Sequence, residues 1–515
     1  MPSSREPLVI GPFAGGLNTY DDPTAVRDTE LVEALNWDPG LEGSLRSRPP
    51  FTNTGSPLTL GATGSAKFLG FYYAVNGTTY LIASDGLNST WAYNGTSWSL
   101  ITATISATAM TQFDNKVWMI SPVGDSDPGG YWTPSGGFVA DADMPHGDTI
   151  IGFKSRLWVS PGKGNPNGTR VYYSKVLGQP NFWQTPSFID VGQGDGQEIV
   201  LLATYYSTLV AFRTQSIYNF SFTSDPAQGA VTLLVPNVGL ASKDCLISYE
   251  NYLYFMFDEK AYQFVNNNAQ QINLKVPFTA ENRANISLPY AVSLFNNRAI
   301  FHYFDTMYVY SLRTKTWTRW KSPQYGAIGQ IMSPAGVLTD EAYVNPSAVQ
   351  PAGGTRQQPI LRIEDRVSNR AENFQCVVQT KNYNYQNSSN FKRLFWWGVD
   401  AVFRTRIQAW AIPVVQRATV TWGQLRTGGV TWGHLLNTGT WGYPLSTAAE
   451  VKTEYNLAGS GPIRKFVKMA KSLRFRQIYF RVIFDTDGSL GTAPVNLFTI
   501  TAYVGTKETV SKGIS

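Results

Sequence analysis

The sequence predicts an all-β protein: a β-propeller of six readable blades, with room for a seventh after Gly326, an N-terminal arm and a C-terminal β-rich domain. Three observations predict it. A theme of strand, tight polar turn and apolar strand recurs six times between residues 66 and 320. Its turn-plus-strand pieces are TTYLIAS (Thr78 to Ser84), NKVWMIS (Asn115 to Ser121), SRLWVSP (Ser155 to Pro161), STLVAFR (Ser207 to Arg213), NYLYFMF (Asn251 to Phe257) and NRAIFHY (Asn297 to Tyr303). The first apolar residues after each turn (Tyr80, Val117, Leu157, Leu209, Leu253, Ala299) are spaced by about 37 to 52 residues, the period of propeller blades. Second, Asn76-Gly77, Asp85-Gly86 and Asn94-Gly95 separate four short strands, and such pairs supply the positive φ that two-residue hairpins need. Third, aromatics reach 14% while charged residues are 15%, well below the roughly 25% usual for soluble domains. That balance suits sheet, and also a subunit that hides surface against neighbours.

Taken in order, residues 1–60 form the arm. GPFAGGLNTYDDP is turn-rich, and a short helix is expected after it, with Asp28 as its cap and DTELVEALNW supplying an acidic first turn and an apolar face. DPGLEGSLRSRPPF then turns and ends in a Pro-stiffened basic stretch. Residues 61–330 carry the blades; the fourth is expected to hold a long looping insert over 223–239. Residues 331–359 gain Pro and Gly and lose periodicity, predicting a linker or long loop. Residues 360–515 form the C-terminal β domain, sandwich-like or extended, with the option of completing the propeller. In it, SLRFRQIYFRVIFDTDGSLGTAPVNLFTITAYV reads as two long strands joined through Asp485 to Gly488.

Enzymatic chemistry finds little footing. The histidines His146, His302 and His434 lie in three separate regions, and no HExxH, Cys-rich ligand set, GxSxG or Walker loop is present. No catalytic residue, cofactor or metal site is predicted. Cys245 and Cys376 have no redox or metal spacing and are expected as buried thiols. SDGLNSTW (Ser84 to Trp91) resembles a sialidase-type Asp-box, but the spacing fits a plain Asp-Gly hairpin better. The carboxylates Asp85, Asp125, Asp127 and Asp305 are not shown to converge by anything in the sequence. The triplets at Asn76, Asn88, Asn94 and Asn167 read as turns. The first residues lack a signal-peptide h-region and no apolar run approaches 18 residues, so a chain made in a cytoplasm without a membrane span is expected.

Two constellations remain. Thr421-Trp422-Gly423, Thr431-Trp432-Gly433 and Thr440-Trp441-Gly442 recur at spacings of ten and nine residues. Their tryptophans could anchor a partner or a glycan, or pack on their own sheet. RKFVKMAKSLRFRQIYFR carries Arg464, Lys465, Lys468, Lys471, Arg474, Arg476 and Arg481. Strand alternation would put Arg474 and Arg476 on one face with Ile478 and Phe480, against phosphate in a channel or in ion pairs within or between subunits. The net charge of +6 permits nucleic-acid contact without demanding it.

The order of these segments resembles the tail nozzle (tail hub) proteins of short-tailed bacteriophages and related propeller-containing phage tail proteins. GGLNTYDDP followed by LNWDPGLEGSLRSRPPF is similar to their opening, where an LR-x-RPG phrase precedes the first blade; here Pro50-Phe51 replace its Gly and aromatic. GFKSRLWVSPGKGNPNGTRVYYSKVLGQPNFW, LLATYYSTLVAFRTQSIYNFSF and RFRQIYFRVIFDTDG with NLFTITAYV also resemble that family. The resemblance implies a virion tail subunit without enzymatic activity. It implies a homo-oligomeric ring of six copies that continues the DNA channel, retains the genome, touches it transiently, and contacts adaptor and fibre or spike proteins. A glycan-binding or sialidase-like propeller and a minor tail-tip protein of a long-tailed phage are the alternatives.

Overall fold

The computed structural model describes residues 6–40, 43–53, 58–60, 67–179, 182–184, 187–192, 194–223, 225–279, 291–303, 306–321, 328–332, 341–346, 356–358, 361–364, 374–383, 392–402, 406–414, 451–456, 462–475, 477–486 and 496–506. Two compact units interleave along the chain. One takes Met1–Arg48, Thr314–Arg319 and Ser368–Ser515; the other takes Pro49–Arg313 and Trp320–Val367.

The second unit is a β-propeller. Five four-stranded antiparallel sheets follow one another in simple up-and-down order, over residues 67–102, 109–140, 149–190, 199–236 and 246–271. The six repeated pieces are each the second strand of a blade, from Thr79–Ser84 to Arg298–Tyr303. Tight turns precede them for a local reason. Asp114 and Asn115, Lys154 and Ser155, and Asn296 and Asn297 are consecutive pairs at positive φ, the backbone that a two-residue hairpin matched to strand twist requires. The sixth blade contributes Ala291–Phe295, Arg298–Tyr303 and Thr306–Ser311. Within the strand that follows, Trp317–Trp320, only Trp320 groups with the propeller.

A seventh blade closes the wheel. Ile328–Met332, Glu341–Pro346 and Leu361–Glu364 pair in that order, and Phe51–Asn53 from the arm adds the outermost strand. The expected linker over 331–359 therefore holds a blade strand: Ala342 and Val344 are buried, and their alternation was masked by the surrounding Pro and Gly. Arg356–Gln358, also inside it, pairs with Leu58–Leu60. The looping insert expected over 223–239 contains the fourth strand of its blade, Ala230–Pro236, entered through a 3-10 turn capped by Asp225.

Hydrophobic layers between blades hold the ring together. Tyr72, Ile82 and Ala92 pack on Val117, Met119 and Trp132; Trp118 and Ile120 meet Ile150, Leu157 and Val159. Trp158 and Tyr173 meet Leu202, Leu209 and Phe220. Phe212 and Phe255 (5.3 Å between centroids) and Tyr205 and Phe264 (4.8 Å) join the fourth and fifth blades edge-to-face. Phe295, Ile300 and Trp320 meet Ile331, Val344, Ile363 and Phe51. Leu81 and Tyr93 of the first blade then pack on Met332 and Tyr343 of the seventh. A blade buries its faces only against neighbours, so this circuit is where the stability resides.

The first unit is a β-sandwich. One sheet runs Trp37–Pro39, Leu45–Ser47, Asn496–Thr506, Lys392–Val402, Pro462–Phe475, with Glu6–Ile10 also on Asn496–Thr506. The other holds Glu30–Leu35, Phe374–Thr380, Gln477–Thr486, Arg406–Val414 and Val451–Asn456 in that order. Trp37 meets Phe484 edge-to-face at 5.4 Å, and Trp397 meets Phe480 at 5.5 Å, so the sheets bury facing aromatics.

Two expectations fail in this unit. The helix after Asp28 is a strand, Glu30–Leu35, and no α-helix occurs among the described residues. Long-range pairing of Leu31, Ala34 and Leu35 with Thr380, Val378 and Val377 overrides the helical look of ELVEAL. The basic stretch is also not one long strand. Pro462–Phe475 pairs with Lys392–Val402 in one sheet, while Gln477–Thr486 pairs with Phe374–Thr380 and Arg406–Val414 in the other. Arg474 and Phe480 therefore lie in different layers, not on one face.

Candidate functional site

Those of the predicted contact residues that are described fall on two different sheets. The register sets Arg464 opposite Asp400, Lys465 opposite Val399, Lys468 opposite Trp396 and Arg474 opposite Arg393, along a strand that is terminal in its sheet among the described residues. Lys471 falls in the same strand, where the register shifts between Leu394 and Trp396. Arg481 belongs to the other sheet and makes an intramolecular ion pair with Glu33 at 3.4 Å, so its charge is used inside the unit. Arg476, Trp422, Trp432, Trp441 and His434 lie outside the described residues.

The residues weighed as catalytic are placed structurally. Asp85 is 7% exposed, and its Oδ1 accepts the backbone N–H groups of Leu87, Asn88 and Ser89 at 2.9 to 3.2 Å. It shapes its hairpin. His302 Nε2 bonds with Ser293 Oγ at 2.9 Å, and that hydroxyl also accepts the N–H of Ile331, tying the sixth blade to the seventh. Both residues are buried and closed to a substrate. His146 Nδ1 lies 3.1 Å from the carbonyl of Pro122. Cys245 and Cys376 are buried and not in a disulfide. No group of three His, Cys, Asp or Glu able to hold a metal occurs among the described residues, and none of their helices is long and apolar enough to cross a membrane.

One charged constellation does converge, at the axial end where the first strands of the blades begin. The first strands of neighbouring blades lie side by side around most of the ring. Lys67 opens the first blade, Thr108 and Asp148 immediately precede the second and third, and Lys243 and Asp244 lie in the turn before the fifth. Lys67 Nζ donates to Asp244 Oδ2 at 2.8 Å. Lys243 Nζ donates to the Thr108 carbonyl at 3.2 Å and stands 3.8 Å from Asp148 Oδ1. These bonds join blades that are not neighbours, so they cross the axis.

The four side chains are 22 to 34% exposed. Burial holds the Lys243 ammonium below the usual lysine range, reinforced by the nearby Lys67 charge and opposed by Asp148 and Asp244. The turn is fixed beneath. Cys245 N–H donates to Ser242 O at 3.0 Å and Asp244 O accepts the N–H of Val292 at 2.8 Å. Burial pushes the Cys245 thiol up to about 12. Each charge in this group faces an opposite one, which suits holding backbone together more than nucleophilic or acid–base work.

Other buried polar residues went unread in the sequence. Arg48 is 0% exposed; its Nε donates to Asn36 Oδ1 at 3.0 Å and its guanidinium stacks 3.9 Å over Phe374. Asn36 in turn donates to the carbonyl of Gln375. Asn18, also 0% exposed, donates to Asp21 and Glu30 at 2.8 Å each. Gly15 leaves no room for a Cβ, which would sit 2.5 Å from the Glu30 side chain. The conspicuous phrases GGLNTYDDP and LRSRP are thus braces of the sandwich. In the propeller, Arg213 is fully buried and its guanidinium grips Asp195 at 2.5 and 2.8 Å, the carbonyl of Gly192 at 3.1 Å and the carbonyl of Gln197.

No family model and no curated protein matches the chain. Among solved structures, the extracellular domain of a putative hybrid two component system from B. thetaiotaomicron is similar at 12% identity and TM-score 0.39, covering 67% of this chain and 42% of that one. The Pan2 WD40 domain of Neurospora crassa is similar at 9% identity and TM-score 0.40, over 62% of this chain and 96% of that one. The computationally designed Ika8 protein matches at 11% identity and TM-score 0.36, over 61% and 99%. The chain spans less than half of the first of these. The wheel itself rests on this chain's own strand pairing and its circuit of cores.

Proposed function

We propose that this chain is a structural subunit of a bacteriophage tail, of the nozzle or hub type, acting by assembly and not by catalysis. In this reading, copies form a ring that continues the DNA channel, retains the genome and contacts fibre or spike proteins. The supporting observation is the interleaved build: a sandwich made from Met1–Arg48 and Ser368–Ser515, with a seven-bladed wheel inserted between them. The phrases that resemble the nozzle family, GGLNTYDDP and LRSRPPF, serve as sandwich braces and as the entry to the closing strand of the wheel. Asn18, Arg48, Asp85, Arg213 and the pairs Lys67–Asp244 and Lys243–Asp148 all make bonds that hold the fold. The basic strand Pro462–Phe475, terminal in its sheet among the described residues, is the segment this reading places nearest to DNA or a neighbouring copy.

Mass photometry and negative-stain microscopy of the full chain test it, with immunogold labelling of virions from a phage carrying the gene. A closed ring of identical copies and label at the tail tip are expected. A monomer that binds or cleaves sialylated glycans, with no label on particles, would overturn it.

A further inference from the structure

We infer that Lys67, Asp148, Lys243 and Asp244 form an axial lock that ties blades across the centre of the wheel and shuts solvent away from the turn beneath. This goes beyond the tail assignment and stands or falls separately from it. Ordinary propeller contacts are between neighbours: each apolar layer described above joins one blade to the next. The lock is different in kind. Lys243 and Asp244 are consecutive in one turn, yet their side chains bond to different blades. Asp244 meets Lys67 of the first blade, and Lys243 meets the Thr108 carbonyl and Asp148, at the entries to the second and third. Asp148 is steadied in turn by Asn165, whose amide lies 3.4 Å from its Oδ2. The carbonyl of Asp244 takes the N–H of Val292 in the sixth blade. One turn of the fifth blade thus holds four other blades through polar contacts.

The physical consequence concerns opening. A wheel closed only around its rim can part at one inter-blade seam while the rest stays folded. Cross-axis ties make seam opening cost the lock as well, because separation leaves half-buried charges without partners. Cys245, the residue that follows Asp244, fully buried with its Sγ 3.2 Å from Ser242 Oγ, is a built-in reporter of that opening. Cys376, buried in the sandwich, reports on the other unit.

The test is iodoacetamide alkylation of the native full chain, read for each cysteine by peptide mass spectrometry. In the wild type both thiols react slowly. In Lys243→Met and in Lys67→Met, Cys245 is expected to react at least about tenfold faster while Cys376 keeps its rate. The exchanged pair Lys67→Asp with Asp244→Lys is expected to return Cys245 to within about twofold of the wild type. Lys260→Met, at an exposed pair on the same blade, changes neither thiol. Unchanged Cys245 reactivity in both single variants overturns the lock. So does a parallel rise at both cysteines, which means the residues serve general folding, and so does failure of the exchanged pair to restore protection.

Discussion

The two units are both all-β, yet they are assembled on opposite principles. In the propeller, most strands that pair are close in sequence, and many of the turns between them are two-residue hairpins; Phe51–Asn53 and Leu58–Leu60 are the strands that pair with distant partners, Leu361–Glu364 and Arg356–Gln358. In the sandwich nearly every ladder is long-range: Glu6–Ile10 pairs with Asn496–Thr506, and Glu30–Leu35 with Phe374–Thr380. Local pairing carries a small loop-closure cost, whereas distant pairing must wait for the intervening chain. The wheel can therefore form blade by blade, while the sandwich needs both ends of the chain.

That contrast is broken most severely by truncation. Removing residues 1–53 deletes the sandwich strands Trp37–Pro39 and Leu45–Ser47 and the outermost strand of the seventh blade together. Loss of the cooperative urea transition is expected, with aggregation of the exposed strand edges on size-exclusion chromatography. A soluble truncated chain with one sharp transition would mean that the arm is not part of either core.

Next come the buried aromatics, which sharpen the comparison because the chemistry is equal and the setting is not. Trp158 is 0% exposed, 5.1 Å from Tyr173 and 5.2 Å from Phe222, between the third and fourth blades. Trp397 is 1% exposed and packs against Phe480, with the rings tilted by 37°, between the two sandwich sheets. Each replacement by Ala should cost about 3–5 kcal/mol in equilibrium urea unfolding. If contact order governs, Trp397→Ala slows refolding of its unit more than Trp158→Ala does, seen as separate phases in stopped-flow fluorescence.

The same contrast explains what was legible in the sequence. Hairpin turns and a period of about 37 to 52 residues are local signals, and they placed the second strand of six blades. Glu30–Leu35 looked helical because its acidic residues and apolar spacing suit a helix in isolation. Nothing local reveals a partner at Phe374–Thr380. Likewise the break between Pro462–Phe475 and Gln477–Thr486 is set by a change of sheet, not by Gly or Pro. The axial charged group has no sequence signature, because Lys67, Asp148, Lys243 and Asp244 share no motif; only closing the wheel brings them together. Buried polar side chains such as Arg48 and Arg213 were invisible for a related reason, since composition assigns arginine to the surface.

Arg48 offers the third test. Arg48→Met keeps much of the stem volume but removes the donor to Asn36 and the charge over Phe374. A loss of about 2–3 kcal/mol is expected in the sandwich transition, with the propeller transition unmoved. Equal loss in both would mean that the units unfold as one cooperative body.

The smallest effect lies in the propeller loop held by Arg213. Its guanidinium holds the Asp195 carboxyl below the usual carboxylate range, chiefly through their hydrogen bonds. A folded-state pKa below the unfolded value, 3.8, means the carboxylate's contribution is complete above that value and is lost as pH falls through the lower folded pKa. Asp195→Asn keeps an acceptor for Arg213 but not the charge, and the carboxylate is 37% exposed and screened by solvent, so a loss below about 1 kcal/mol is expected at neutral pH. Urea midpoints measured across the acid range should show a gap between wild type and variant that is full above about pH 5 and closes as the pH falls below 4. A difference that stays constant through that range would assign the effect to loop shape, and the charge on Asp195 would then contribute nothing that Asn cannot supply.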